Sequence, residues 1–273
     1  MLKILGRDRL HWLAALAVIA ACNGYAAIIL ESIRERGFVS ALLSGFAVNP
    51  VYWFALLVAA VIAFTPDEVV PMRRGDGPVI AVIAMLALLP IQAASAVALL
   101  IAAVWMLMTS PRASRGRRVG AVLLALTTSL IWGHVILMLL GDVLVRIDAR
   151  FVAWLAGSTA RDNLVDFTSG GGNMMIAYAC SSMHNMTMAI QMWVAMIALL
   201  RISVGPKSLL VGMAALVANV MVNGMRLATI AHDREAYDYW HMGAGAAMFA
   251  WLAVVVVSFV VMLGCYALAP RRV

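Results

Sequence analysis

Apolar residues run along this chain in long blocks separated by short polar and basic stretches, with none of the strict alternation of a half-buried strand. About twenty consecutive apolar residues carry a helix across a bilayer, and several blocks approach that length. The first predicted span runs from about Leu10 to Leu30. The second covers about Pro50 to Thr65, with FVSALLSGFAV before it as a partly immersed approach helix. The run from Val79 to Thr109 is too long for one ordinary crossing, and Pro90 in its middle favours a break. Further spans are predicted at about Val119–Leu140, Ala179–Leu200, Leu209–Thr229 and His241–Leu268.

The polar blocks set the orientation. SPRASRGRR holds Arg112, Arg115, Arg117 and Arg118, while Lys3, Arg7 and Arg9 precede the first span. Basic loops stay cytoplasmic, so both belong on the inner side, and this requires two crossings between Val79 and Thr109. The later inner segments, RISVGPK and APRRV, are also basic, and the outer loop AHDREAYDYW is net acidic. The expectation is an all-α polytopic membrane protein of about eight transmembrane helices with both termini cytoplasmic. It forms one integral domain, 1–273, in the cytoplasmic (inner) membrane. Residues 141–178 make an outer interfacial segment, and 172–268 bear the chemistry.

Composition agrees with this picture. Of 273 residues, 64% are hydrophobic and 12% charged, which excludes an ordinary soluble domain. The net charge of +7 sits in short loops beside apolar runs, arguing for membrane orientation rather than nucleic acid. Cys22, Cys180 and Cys265 form no CxxC pair and suggest no disulfide framework. The stretch ending VIAACNG has the look of a signal peptide, but the apolar run continues through Ala26–Leu30, which favours an uncleaved first span.

Polar groups inside such spans are costly and become functional candidates. Cys180, His184, Thr187 and Gln191 recur at helical spacing on one predicted face; Asn219, Asn223 and Arg226 form a second stripe. His241 opens the last span, followed by the small residues of HMGAGAA. The predicted topology brings Cys180, Arg226 and His241 to the outer membrane face, where the site is expected. A thiolate is the attacking form of cysteine and is stabilised beside a cation or at a helix N-terminus. A histidine can activate it and later protonate a leaving amine, and an arginine can stabilise a thiolate or an oxyanion. The bland alternatives are that Cys180 is a small filler, His184 a packing residue and Arg226 a side chain reaching for headgroups. TSGGGN, just ahead of Cys180, reads equally as backbone for binding a substrate carbonyl or as a glycine turn.

AYACSSMHNM, NVMVNGMRLATI and WHMGAGAAMF resemble the three signature stretches of the exosortase/archaeosortase family. They match its A-C-S-G-like, N-x-x-R and H-x-x-x-G motifs at Ala179–Ser181, Asn223–Arg226 and His241–Gly245, over about Tyr178–Phe249. Ser182 stands where the family has glycine, and the Arg226–His241 interval is short for it. The resemblance implies a membrane-embedded, sortase-like cysteine transpeptidase or protease. Its partners would be membrane proteins anchored by a C-terminal sorting signal: a short motif, often Pro-Glu-Pro, then one membrane helix and a basic tail. Cys180 would be the nucleophile, with Arg226 and His241 completing the catalytic set. Asn223, Asn219, His184, Ser181 and Gly245 would bind substrate or support the site, with no cofactor and no metal. Two rival classes remain open. One is a soft-metal, Cu(I)-binding or transporting protein using Cys180, Met183, His184 and Met188; the other is a non-catalytic membrane scaffold.

Overall fold

The computed structural model describes residues 8–65, 69–89 and 91–269, apart from the side chains of Leu43 and His184. Lys3, Arg7, Pro90 and residues 270–273 lie outside the described residues. The chain divides into two compact units, Met1–Ile131 with Val194–Val204 and Ala269–Val273, and Trp132–Trp193 with Gly205–Leu268.

In the first unit, helix α1 (Arg9–Asn23) starts behind Asp8, whose carboxylate accepts from the Leu10 amide at 2.8 Å. Such a cap contributes about 1 kcal/mol. Leu10, Leu13, Ala14, Ala17, Ala20 and Ala21 are buried along one stripe of α1. The four alanines among them let neighbouring helices approach closely. Helix α2 (Ala26–Arg36) departs at 47°, so the predicted first span is bent. Short α3 (Phe38–Leu43) follows, then α4 (Pro50–Phe64), where Asn49 caps the Val51 amide and Pro50 sits in the first turn. The run from Val79 to Thr109 is interrupted as predicted, giving α5 (Asp76–Leu88) and α6 (Gln92–Thr109). Asn23 Nδ2 donates to the carbonyls of Ala87 (3.0 Å) and Leu89 (2.7 Å), tying the end of α1 to the end of α5. Asp76, fully buried, accepts from Arg9 Nε at 2.8 Å, Trp105 Nε1 at 2.7 Å and the Arg73 amide at 2.7 Å. Helix α7 (Arg115–Thr127) packs on α4 and α6.

A π-helical turn, Thr128–Trp132, joins α7 to α8 (Gly133–Ala156) in a helix of 42 residues. The predicted span ended near Leu140; the helix instead continues to Ala156. Val145, Ala149, Val152, Ala153 and Ala156 supply a buried helical stripe through that stretch, and left-handed Gly157 (φ +65°) ends it. The remainder of the outer segment is an antiparallel three-stranded sheet: β1 (Ala160–Arg161), β2 (Leu164–Asp166) and β3 (Asn173–Met175), in that order. Val165, Met174 and Ile176 bury one face of this segment with α8 and with Leu227, Ala228, Ile230 and Ala231 of the helix Pro206–His232. TSGGGN is the β2–β3 turn, with Gly170, Gly171 and Gly172 at φ of +77°, +81° and +132°, backbone that favours glycine. After Cys180 come α9 (Ser182–Leu199), α10 (Pro206–His232), short α11 (Tyr237–His241) and α12 (Ala244–Leu268). At Gly224 an added Cβ would lie 2.5 Å from Phe151 Cε1, which fixes how closely α10 meets α8.

The all-α reading thus holds, with a small sheet added. Among the described residues, four helices are long and apolar enough to cross a membrane: Gln92–Thr109, Arg115–Ala156, Pro206–His232 and Tyr237–Leu268, the last combining α11 and α12. The bent α1–α2 pair makes a fifth candidate, while α4 and α5 are shorter apolar helices.

Candidate active site

The second unit gathers its reactive side chains where α9, α10 and α12 begin or end. Cys180 does not lie within the long helix that follows it. It closes a 3₁₀ turn, Tyr178–Cys180, two residues before α9. Ser181 and Ser182 explain the break, because both bind Asp148 of α8. Ser181 Oγ donates to Asp148 Oδ2 at 2.7 Å, and the Ser182 amide donates to the same oxygen at 2.9 Å. Ser181 Oγ in turn accepts from the Met183 amide at 3.3 Å. A carboxylate is a good partner for helix N-terminal amides, which carry partial positive charge.

Asn223 holds the same turn from the opposite side. Its Nδ2 donates to the Cys180 carbonyl at 3.0 Å and to Ser182 Oγ at 3.3 Å, and its Oδ1 accepts from Asn185 Nδ2 at 3.3 Å. With its main chain held on both sides, Cys180 presents Sγ at 3.4 Å from His241 Nε2, a hydrogen-bond distance for sulfur. Both residues are half-buried.

His241 likewise lies ahead of the long helix rather than inside it. It ends the five-residue α11, and Met242–Gly243 separate it from α12. The Tyr237 ring stacks on the imidazole at 4.9 Å between centroids. Gly245 is buried where a Cβ would meet the Trp240 ring and Tyr239 Cε1, so glycine here lets the aromatic end of α11 fold against α12. This compact turn is how a short Arg226–His241 interval still delivers the histidine to the thiol. Arg226 and Tyr237 both lie within electrostatic range of Cys180. Arg226 Nε is buried without a hydrogen-bond partner among the described residues.

Of the predicted site residues, Cys180, His241, Arg226, Asn223, Ser181 and Gly245 converge on this corner. Asn219, one turn below Asn223, is fully buried, and neither of its amide atoms has a partner among the described residues. The His184 side chain lies outside the described residues. Among the described residues no group of three His, Cys, Asp or Glu is placed to hold a metal ion.

Asp148, Asn185 and Tyr237 escape a sequence reading. Asp148 is hidden by the assumption that its helix stops near Leu140; the apolar stripe continuing through Val145, Ala149 and Val152 was the available signal.

A cleft of about 410 Å³ adjoins the turn that carries Cys180. Asp142 and Arg146 of α8, Asp162 and Asn163 of the β1–β2 turn, and Met175–Tyr178 line it. Tyr178 Oη donates to Asp142 Oδ1 at 2.5 Å, which raises the phenol above its ordinary range because the carboxylate favours the protonated donor. No family model, curated protein or solved structure matches the chain.

Proposed function

We propose that this chain is a membrane-embedded, exosortase-like cysteine transpeptidase or protease that releases C-terminally anchored proteins through an acyl-enzyme. One observation carries the reading: Cys180 Sγ stands 3.4 Å from His241 Nε2 with Arg226 in electrostatic range. In this scheme His241 takes the thiol proton as Cys180 attacks the scissile carbonyl. The tetrahedral oxyanion forms near Arg226, whose charge stabilises it. Collapse breaks the C–N bond, His241 passes its proton to the departing amine, and the acyl group stays on sulfur as a thioester. An acceptor nucleophile then deprotonates onto His241 and displaces the thiolate, which recovers the proton. Asn223 and Asp148 are positioning residues, since both hold the backbone or neighbours of Cys180.

The cleft beside Tyr178 suits an extended peptide arriving at the cysteine. The expected substrate carries a short motif, one apolar helix and a basic tail. The accompanying topology is about eight crossings in the inner membrane, both termini cytoplasmic and the thiol at the outer face, supported by the arginine-rich segments.

The test is processing of a co-expressed anchored substrate by wild type, Cys180→Ala, His241→Ala and Arg226→Ala. Loss with Cys180→Ala and a fall of roughly 10²-fold or more with His241→Ala are expected. Processing that survives Cys180→Ala would sink the proposal. Orientation is checked separately: an impermeant maleimide added from outside should label Cys180, and labelling only from the cytoplasm contradicts it.

A further inference from the structure

The strand that leads into Cys180 has a free edge. In the order β1–β2–β3 the middle strand is β2, so β3 pairs on one side only. The bonds across that side fix which residues it uses. The Ile176 amide donates to the Asn163 carbonyl at 2.8 Å, and the Gly172 carbonyl accepts from the Phe167 amide at 3.1 Å. Main-chain groups alternate from side to side along a strand. Gly172, Met174 and Ile176 therefore face β2, while Asn173, Met175 and Ala177 turn their N–H and C=O groups to the open edge. Of these outward groups, only the Ala177 carbonyl has a partner among the described residues, the Cys180 amide at 2.9 Å. Asn173 and Met175 are exposed, whereas Met174 and Ile176 are buried.

A short exposed edge is common, and brevity is one way a sheet avoids pairing with other chains. This edge differs in where it ends. Ala177 stands three residues before Cys180, whose amide closes the turn on the Ala177 carbonyl. The cleft of about 410 Å³ opens at the same end, between Met175–Tyr178 and Asp142 and Arg146 of α8. From Asn173 to Ala177 the edge covers four steps of about 3.3 Å, roughly 13 Å, the reach of an extended tetrapeptide. Alternating donors and acceptors of this kind are matched by another extended main chain, whatever its side chains.

We propose that the substrate segment on the acyl side of the scissile bond binds as a further strand along β3 and parallel to it, a reading that rests on Cys180 being the nucleophile. Asn173 and Met175 are its main-chain partners. The direction follows from polarity. β3 runs toward Cys180, and the acyl side of a peptide bond runs from N to C toward the carbonyl that sulfur attacks. A segment laid in the same sense brings its last carbonyl to the thiol, and the cleft receives the side chain nearest that bond.

The experiment uses the full chain in detergent, in the Cys22→Ala/Cys265→Ala background where Cys180 is the remaining thiol. Its alkylation is timed by intact mass with acetyl-tetraalanyl chloromethyl ketone, with the same peptide methylated at every amide nitrogen, and with iodoacetamide, which carries no peptide. Met175→Pro deletes the outward N–H and leaves the bonds to β2 in place, whereas Met175→Leu keeps that N–H. The quantity compared is the peptide rate divided by the iodoacetamide rate, so a general change in thiol reactivity cancels. This ratio should fall roughly tenfold in Met175→Pro and hold in Met175→Leu, and methylating the peptide should slow it about tenfold with the parent protein. A ratio unchanged in Met175→Pro, or a methylated peptide as fast as its parent, overturns the strand pairing. Failure of the nucleophile reading shows elsewhere, as substrate processing that survives Cys180→Ala.

Discussion

Asp148→Ala is the sharpest probe of how the reactive turn is held. The carboxylate is buried and accepts two hydrogen bonds through one oxygen, from Ser181 Oγ at 2.7 Å and the Ser182 amide at 2.9 Å. Hydrogen bonds to charged groups contribute about 1.5–3 kcal/mol each, and a lost N-cap costs roughly 1 kcal/mol. Ser181 is fully buried and would be left without this acceptor. Taking the lower value for each bond gives a destabilisation of about 3 kcal/mol. In a chain of this size that lowers the melting temperature by roughly 6–12 °C. Asp148→Asn keeps an acceptor oxygen without the charge, so about half the loss should return. Local disorder at the turn should appear in the same proteins as a changed alkylation rate of Cys180, read at one fixed pH in the Cys22→Ala/Cys265→Ala background. A variant that melts with wild type and alkylates at the wild-type rate would refute the argument that Asp148 sets the turn.

Three further outcomes follow from other contacts. Asn223→Ala removes the donor to the Cys180 carbonyl and, under the proposed function, should lower kcat of substrate processing with little change in KM, whereas Asn223→Asp should not restore it, because a carboxylate cannot donate there. Breaking the buried Arg9–Asp76 pair with Asp76→Ala should cost about 3–5 kcal/mol in thermal or denaturant unfolding, and a neutral result would show that the pair is not desolvated as described. For Tyr178 the folded phenol titrates above the unfolded value of about 10, so its bond to Asp142 contributes below that value and is lost as pH rises through the folded one. The tyrosinate absorbance difference between wild type and Tyr178→Phe should therefore rise above the ordinary tyrosine range; a midpoint at or below it contradicts the contact.

Apolar block length was enough to place most helices, because burial in lipid or among other helices selects for it over whole turns. It failed where a second signal overrode hydropathy. The stretch Asp142–Arg150 contains four charged residues, and a hydropathy reading ends the span before it. The periodic stripe Val145, Ala149, Val152 shows that the helix goes on with its charges on other faces and Asp148 turned to a specific partner. Strands as short as β1–β3 leave almost no period to read, and only the glycine turn marked them. At the site, residue types and order identified Cys180, Arg226 and His241 as a group. The boundaries were less legible: both Cys180 and His241 sit in breaks ahead of long helices, and those breaks are made by Asp148 and Gly245, residues distant in sequence or unremarkable in type.

The Cys180 cluster also has a genealogical consequence. Each contact described around it comes from Trp132–Trp193 and Gly205–Leu268. Under the proposed function, selection on the chemistry falls on about half of the chain, and the first unit answers to different demands. Descendants of a common ancestor should keep Asp148, Cys180, Asn223, Arg226 and His241 together while their first hundred residues drift almost beyond comparison.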